Sequence, residues 1–269
     1  MNAPALLDKL WMVSRRDLLT ALRYRMGFWL QALGMAVELG AFFYLARAIG
    51  PGFRPDGVEY FPFLVVGTAL HGFLVRGVQQ SVNTVYEAQI TGTMEVLMST
   101  STPAPVIMLL STFSTFAGRS LHLLVYTIVG LLMFGALPEK TNLAACFVIY
   151  LLSLVFALAM GLLGAAIQVV AQKGGGVVLL LSGLGWFLSG TVFPVSVLPT
   201  PLRALSDVFP FTHSLNGMRL ALLQGASFSQ LAGPLWILTV FSLVLLPASL
   251  YLFARALRYA RRQGTLSYY

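Results

Sequence analysis

Long apolar runs separated by short polar stretches dominate the hydrophobic pattern of this chain. A bilayer core about 30 Å thick needs about 20 apolar residues for each helical crossing. The runs that reach this length predict six transmembrane spans at about 27–49, 60–83, 105–136, 143–171, 175–197 and 234–257. The predicted fold class is therefore all-α integral membrane, with residues 1–269 forming a single transmembrane domain.

Residues 5–26 carry a different pattern, in which Leu and Val recur at roughly helical spacing with Lys and Arg between them. This pattern predicts an amphipathic helix in the membrane interface, where its cations meet anionic head groups. A basic flank of the first span is the alternative. Both interpretations put the N-terminus in the cytoplasm, and the arginines that follow the last span put the C-terminus there too. An even number of spans agrees with this orientation.

The cytoplasmic stretch 86–102, between spans two and three, is too regular for a simple connector. Apolar residues at the spacing of Ile90, Met94, Leu97 and Met98 predict one stripe on a short helix, which ends before Pro103. Such a stripe needs a cover, either a protein or the lipid interface. The acidic residues of this stretch disfavour anionic lipid, which leaves a protein partner as the preferred cover.

The predicted external stretch 198–233 is largely apolar, yet prolines interrupt it and the chain just before it. Irregular backbone is not tolerated in contact with hydrocarbon, so we expect this stretch to dip partway in and pack against protein or line a cavity. We predict two short external helices here, the second ending near Gly225. The candidate N-caps are Ser206 or Asp207 for the first helix and Ser214 or Asn216 for the second.

Composition and charge narrow the function classes. The chain is 58% hydrophobic and only 10% charged, with a mean hydropathy of +0.82, whereas soluble domains carry about 25% charged residues. The net charge of +8 reflects the basic flanks and predicts orientation, not a nucleic-acid partner. One cysteine and three dispersed histidines provide no metal site. No P-loop, nucleophile elbow or zinc-protease motif occurs, so we predict no catalytic residue in this chain.

Ionisable residues inside predicted spans are costly and often functional. Glu38 lies near the middle of span one, where it would serve a structural pair, the substrate path or proton coupling. Arg119 and His122 are three residues apart on one face of span three, and structural and path-lining roles are both open. Arg76 is expected to snorkel towards the cytoplasm or to pair with the cytoplasmic helix.

Four segments, in this order, resemble those of the membrane permeases of type-2 ABC exporters, a family that includes O-antigen, teichoic-acid and drug exporters. The first is the basic amphipathic N-terminus. The second is GTMEVL at 92–97, followed by Pro103. The others are SGTVFPVSVLP at 189–199 and PFTHSLNGMRLALLQG at 210–225.

The resemblance implies a permease that breaks no bond itself and forms a dimer, which we expect to be a homodimer. It further implies pairing with two copies of a separate ATP-binding cassette subunit that binds ATP and Mg. It also implies a multi-pass protein of the inner membrane of a bacterial or archaeal cell. The residues carried over to the ATPase interface, on a coupling helix at 86–102, are Glu87, Gly92, Thr93, Glu95 and Leu97. Those carried over to an external gate are Gly190, Phe193, Pro194, Pro199, Pro210 and Arg219.

We therefore expect ATP-driven export of an amphipathic, lipid-linked or drug-like substrate along a path at the dimer interface. The alternative is an ion-coupled secondary transporter or channel that uses Glu38, Arg119 and His122. Such a transporter would need no partner protein. It would usually show an internal repeat, and none is evident in this sequence.

Overall fold

The computed structural model describes residues 25–94, 104–133 and 140–264, together with residues 135 and 138. These residues form α-helices joined by turns, with no strand among them, which confirms the all-α prediction. Apart from the start of the first helix, the predicted interface helix at 5–26 lies outside the described residues. The helices are α1 (Arg25–Ile49), α2 (Tyr60–Ile90), α3 (Ala104–Met133), α4 (Leu143–Ala171), α5 (Gly174–Leu188), α6 (Thr200–Val208), α7 (Pro210–Leu223) and α8 (Ala232–Gln263).

In the described part of the chain, α1, α2, α3, α4 and α8 are long and apolar enough to cross a membrane. The predicted span at 175–197 is too long, because α5 is a 15-residue helix that ends at Leu188. Gly190 follows with a φ of +70°. A right-handed helix cannot continue through that conformation, and the chain turns there.

Other helix boundaries also differ from the predicted ones. Helix α2 runs to Ile90, well past the predicted end at 83, so the start of the 86–102 segment belongs to α2. The N-cap predictions are wrong, because Ser206 and Ser214 lie inside α6 and α7. Prolines occupy the first turns of both helices, where their missing N–H is not needed. The predicted stop near Gly225 is confirmed by the end of α7 at Leu223.

Helix α2 lies at the centre of the bundle, because 89% of its most apolar window is buried within the chain, against 6% for α1. It packs against α3, α4, α5 and α7, and α4 in turn packs against α8. Two glycines of α4 allow α4 to approach α2 closely. A Cβ atom at Gly161 would lie 2.6 Å from Ser81 Oγ, and one at Gly164 would lie 2.8 Å from Val82 Cγ2.

Helix α7 belongs to the stretch 198–233, which was expected to dip partway in and pack against protein. Its Phe211 and Leu215 are fully buried, and the helix packs against α2, α4 and α8. Ser153 of α4 donates a hydrogen bond to Ser214, with 2.9 Å between the hydroxyl oxygens. Within this proline-broken stretch, α7 is thus covered by protein, whereas α6 is exposed except at Ser206. We name the two ends of the bundle after α2: α6 and α7 lie at the Tyr60 end, and the turn after α2 lies at the Ile90 end.

Candidate functional site

A tight turn closes α2 at the Ile90 end. The backbone N–H and the hydroxyl of Thr91 both donate to the Glu87 carbonyl, at 2.9 Å and 2.8 Å. Gly92 has a φ of +69°, which glycine adopts at no steric cost. Of the residues predicted to contact an ATPase, Glu87 and Thr93 are exposed and Gly92 is half-buried. Glu95 and Leu97 lie outside the described residues.

Met94 anchors this turn to the bundle. Its side chain is 4% exposed and belongs to an apolar cluster with residues of α2, α3, α4 and α8. Ile90, by contrast, is 51% exposed. The prediction that Ile90 and Met94 share one stripe on a short helix is wrong, because the Gly92 turn separates them. One side chain holds the segment in place, and the other leaves an apolar surface at the end of α2.

Two buried amide side chains connect the end of α2 to the start of α5. Gln168 of α4 donates from Nε2 to Gln89 Oε1 at 3.1 Å, and Gln168 Oε1 accepts from the Gly174 backbone N–H at 2.8 Å. Gln89 lies just before the Gly92 turn, and Gly174 is the first residue of α5. This relay was not predicted, although glutamines inside apolar spans are a signal that polar partners exist.

Gln172 and Lys173 connect α4 to α5, and the three glycines after Lys173 begin α5. Gln172 ends α4 in the left-handed conformation, with its N–H donating to the Gln168 carbonyl. A Cβ atom at Gly174 would lie 2.7 Å from both Gln168 Cβ and Val82 Cγ1, so only glycine fits there without a shift. The start of α5 is thus packed closely against α2 and α4 at Gly174.

Arg219 is the central residue at the Tyr60 end. It is 6% exposed and donates three hydrogen bonds to backbone carbonyls. Nη1 reaches the Gly190 carbonyl at 2.7 Å and Nη2 the Thr191 carbonyl at 2.8 Å, while Nε reaches the Phe63 carbonyl at 3.2 Å. The guanidinium carbon also lies 3.4 Å from the centroid of the Phe63 ring. Arg219 therefore joins α7 to α2 and to the turn after α5.

The charge of Arg219 persists in this buried setting. Burial lowers the pKa of Arg219 to about 9, whereas Asp56 and Tyr60 act in the opposite direction. The side chain is therefore protonated at neutral pH, and its donors remain available to the three carbonyls.

Hydroxyl groups of α6 and α7 bind the C-terminal end of α5, next to the turn that Arg219 contacts. The Leu188 carbonyl accepts from Thr212 Oγ1 at 3.2 Å and also from Ser206 Oγ. Helix C-termini leave carbonyls without intrahelical partners, and here side chains of neighbouring helices satisfy them. Any displacement of α6 or α7 would therefore act directly on the end of α5.

The other predicted gate residues surround this turn to different degrees. Gly190, Pro194 and Pro210 are buried, and Phe193 is half-buried. The Phe193 ring packs edge-to-face on Phe187 of α5, with 5.6 Å between centroids. Pro199 is exposed at the start of α6 and forms no part of the buried turn. A cavity of about 230 Å³ beside the turn is lined by Pro194, Arg203, Asp207, His213 and Arg219, among others.

Two residues of the third predicted set, Arg119 and His122, line a groove between α2 and α3, and Glu38 of α1 reaches its Tyr126 side chain. The Tyr126 hydroxyl lies 3.4 Å from Thr68 Oγ1 and also interacts with the Glu38 carboxyl. The His122 and Tyr126 rings stack with 6.3 Å between centroids. Thr68 and Tyr126 were not predicted as part of this set. We call it the polar groove; its side chains are Glu38, Thr68, Arg76, Arg119, His122 and Tyr126.

The structure does not support the expected snorkelling of Arg76. A Cβ atom placed on Gly72 would lie 3.0 Å from Arg76 Nη2 and 3.5 Å from Arg76 Nε. The guanidinium thus folds back one turn towards the Tyr60 end of α2, away from the Ile90 end. It also lies close enough to Arg119 for the two charges to interact.

Comparison with known proteins agrees with this architecture. The family described as ABC-2 family transporter protein matches residues 54–251, a range that contains the Gly92 turn, α5 and the Arg219 site. No curated protein matches the chain. The match covers well over half of the chain and extends over most of the helical bundle described above. On this evidence the chain belongs to the ABC-2 family of transporter proteins and is a multi-pass membrane permease of the ABC exporter type.

Proposed function

We propose that this permease works as a homodimer with two copies of a separate ATP-binding subunit, which bind ATP and Mg, and that it exports an amphipathic substrate. Family membership supports an ABC partner. The observation that carries the proposal is the Gly92 turn, which exposes Glu87 and Thr93 at one end of the bundle while Met94 fixes the turn in the core. In this proposal the Ile90 end and both termini face the cytoplasm of a bacterial or archaeal cell, across its inner membrane.

The same turn supports a mechanical role. A partner that pushes on Thr93 would move Met94 and the apolar cluster around it, and would move Gln89 at the end of α2. The Gln89–Gln168–Gly174 relay would pass that movement to the first residue of α5. Because a short helix moves as a rigid body, the displacement would reach the opposite end of α5, where Arg219, Ser206 and Thr212 hold the turn.

Exposed apolar surface supports a second copy of the chain. Helix α1 exposes large apolar side chains such as Trp29, Leu33 and Val37, and α5 exposes Leu179 and Phe187. Lipid covers exposed apolar side chains wherever a membrane helix faces outwards. A path formed between two copies would need exposed helix surface at its walls, and α1 has only 6% of its most apolar window buried within the chain.

Co-purification with candidate ATP-binding subunits in detergent tests the proposal. We expect a stoichiometric complex whose ATPase activity in lipid responds to the permease. Glu87→Arg places a cation on the proposed docking surface and should weaken the complex. Arg203→Glu, an exposed reversal on α6 at the opposite end of the bundle, is the matched control and should leave the complex intact.

Two results would contradict the proposal. One is a chain that transports without any nucleotide-binding partner. The other is an equal loss of the complex in Glu87→Arg and Arg203→Glu, since docking would then not depend on the Ile90 end.

A further inference from the structure

The polar groove carries a charge imbalance at membrane depth. Arg76 is 16 residues after the first residue of α2, which corresponds to about 24 Å along the helix. Arg119 and His122 lie inside α3, and Glu38 lies inside α1. The groove thus contains two guanidinium groups and an imidazole against a single carboxyl group. Charges in apolar spans are costly and usually have partners.

Glu38 does not neutralise the two arginines. Its carboxyl group interacts with the Tyr126 hydroxyl. Among the described residues, the charged group that acts on Arg119 is Arg76, which has the same sign. Arg119 Nε is buried and has no hydrogen-bond partner in the described part of the chain. Two guanidinium groups therefore line one groove, and the buried Arg119 Nε donor is unused, which is the arrangement that an anionic ligand would satisfy.

The shape of the groove limits how such a ligand would sit. Its free volume is about 20 Å³, room for about one water molecule. Arg76 is exposed, so the groove opens sideways. An anion would therefore lie at the open side against the guanidinium groups, with at most one oxygen inside.

The groove opens among apolar helices. Arg76 lies well inside α2, and α1, α2 and α3 are each long and apolar enough to cross a membrane. A free inorganic anion would have to leave water to reach this depth, which costs free energy. A molecule that joins an anionic head to a hydrocarbon tail would keep its tail in apolar surroundings and present only its head to the guanidinium groups.

We propose that the polar groove binds the anionic head group of an amphiphile, a phosphate or a carboxylate, through Arg76 and Arg119, with the tail in the surrounding hydrocarbon. Planar guanidinium groups match the oxygens of such groups in a bidentate manner. The bound amphiphile is either a resident lipid of the bilayer or the cargo. Only the second identification rests on the proposed export function.

Lipid retention by the full chain tests this site. The chain is reconstituted in vesicles of phosphatidylcholine with a minority of phosphatidylglycerol, extracted gently, and the lipid that stays bound is measured by native mass spectrometry. We expect phosphatidylglycerol to be retained selectively. The double variant Arg76→Gln, Arg119→Gln should lower its retention about tenfold, as expected for the loss of charge-assisted hydrogen bonds. Arg54→Gln, an exposed change in the turn between α1 and α2, should not alter it.

A second variant protects the test against misfolding. Glu38→Gln removes the acidic charge from the groove, so it should raise phosphatidylglycerol retention, a gain that a damaged protein would not show. Unchanged retention in both the double glutamine variant and Glu38→Gln would overturn the proposal, as would equal retention of the two lipids by the natural chain.

The two sources of the amphiphile are separated by adding the ATP-binding subunit and ATP. Loss of bound phosphatidylglycerol on ATP addition would identify the site with the cargo path. Retention would identify a resident lipid, and the site itself would stand. Because the binding measurement uses the permease alone, a failure of the ATPase pairing would refute the proposed function without affecting this result.

Discussion

The guanidinium of Arg219 occupies the space that a side chain at Gly67 would need. A Cβ atom at position 67 would overlap Arg219 Nη2 and would lie 2.6 Å from the Thr191 carbonyl oxygen. Arg219 reaches its three carbonyls across the bare backbone of α2 at this point. Arg219 of α7 can therefore adopt this position only because residue 67 of α2 is a glycine.

We expect Gly67→Ala to displace Arg219 and to destabilise the protein by about 1–3 kcal/mol, as other overpacked sites do. The measurement is the midpoint of thermal denaturation in detergent. Gly183→Ala is the matched control, because Gly183 is a helical glycine of α5 with no neighbouring atom within 4 Å of the added Cβ. The prediction fails if both variants unfold at the temperature of the natural protein.

Arg219→Lys should also be destabilising, although it keeps the charge. An ammonium group lacks the planar fork and cannot reach the carbonyls of Phe63, Gly190 and Thr191 together. Each buried carbonyl left without a donor costs about 1–3 kcal/mol. A thermal midpoint equal to that of the natural chain would show that charge, and not the geometry of the fork, is what this site requires.

The Gln168 relay predicts that alanine at the first residue of α5 affects coupling, whereas alanine two residues later does not. Gly174→Ala should push Gln168 away from the Gly174 N–H and, in the complex with the ATP-binding subunit, separate ATP hydrolysis from transport. Gly176→Ala provides the control, since no atom lies within 4 Å of its added Cβ. Transport per ATP hydrolysed is the quantity to compare. Equal ratios in the two variants would remove the relay from the mechanism.

Ile90 and Met94 should respond differently to the same change. Met94→Ser removes a buried anchor and should destabilise the chain by about 2–4 kcal/mol. Ile90→Ser should leave thermal stability unchanged and weaken binding of the ATP-binding subunit, because the Ile90 side chain is exposed. Stability is read by thermal denaturation and binding by co-purification. The reverse pattern would place the contact surface elsewhere.

Cysteine labelling checks the orientation of the two ends. The chain contains a single cysteine, Cys146, which Cys146→Ala removes. In that background Thr93→Cys should react with a membrane-impermeant maleimide only from the cytoplasmic side. Ser196→Cys, at an exposed position beside the turn after α5, should react only from the opposite side. Labelling of both positions from one side would exclude the proposed topology.

The most hydrophobic element was predictable to the residue. Helix α4 has a mean hydropathy of 2.6 over its most apolar window and spans the predicted 143–171. The end of α2 was predicted too early, at 83, because polar residues become frequent after 78. The helix itself continues to Ile90. Gln89 is tolerated in that extension because Gln168 of another helix pairs with it. Such a partner is set by tertiary packing, which hydropathy along the chain does not record.

The candidate site, too, was predictable only in part. Gly92, Gly190 and Arg219 were singled out by the resemblance of the segments at 92–97, 189–199 and 210–225 to those of type-2 ABC exporter permeases. The partners of Arg219 were not predictable, because they are backbone carbonyls from positions 63, 190 and 191. Every residue has such a carbonyl, so side-chain identity gives no indication of which ones are used.

The brevity of α5 has a consequence for the surrounding lipid. Its 15 residues rise about 22 Å, roughly 8 Å less than the hydrocarbon thickness of a bilayer. Hydrophobic mismatch of this size is relieved when the bilayer thins locally. The turn after α5 is already satisfied by Arg219, Ser206 and Thr212, so it tolerates a position near the acyl chains. Where α5 crosses a bilayer, we expect the bilayer to be thinnest beside this helix, and a polar group travelling along it would meet the shortest apolar distance to water.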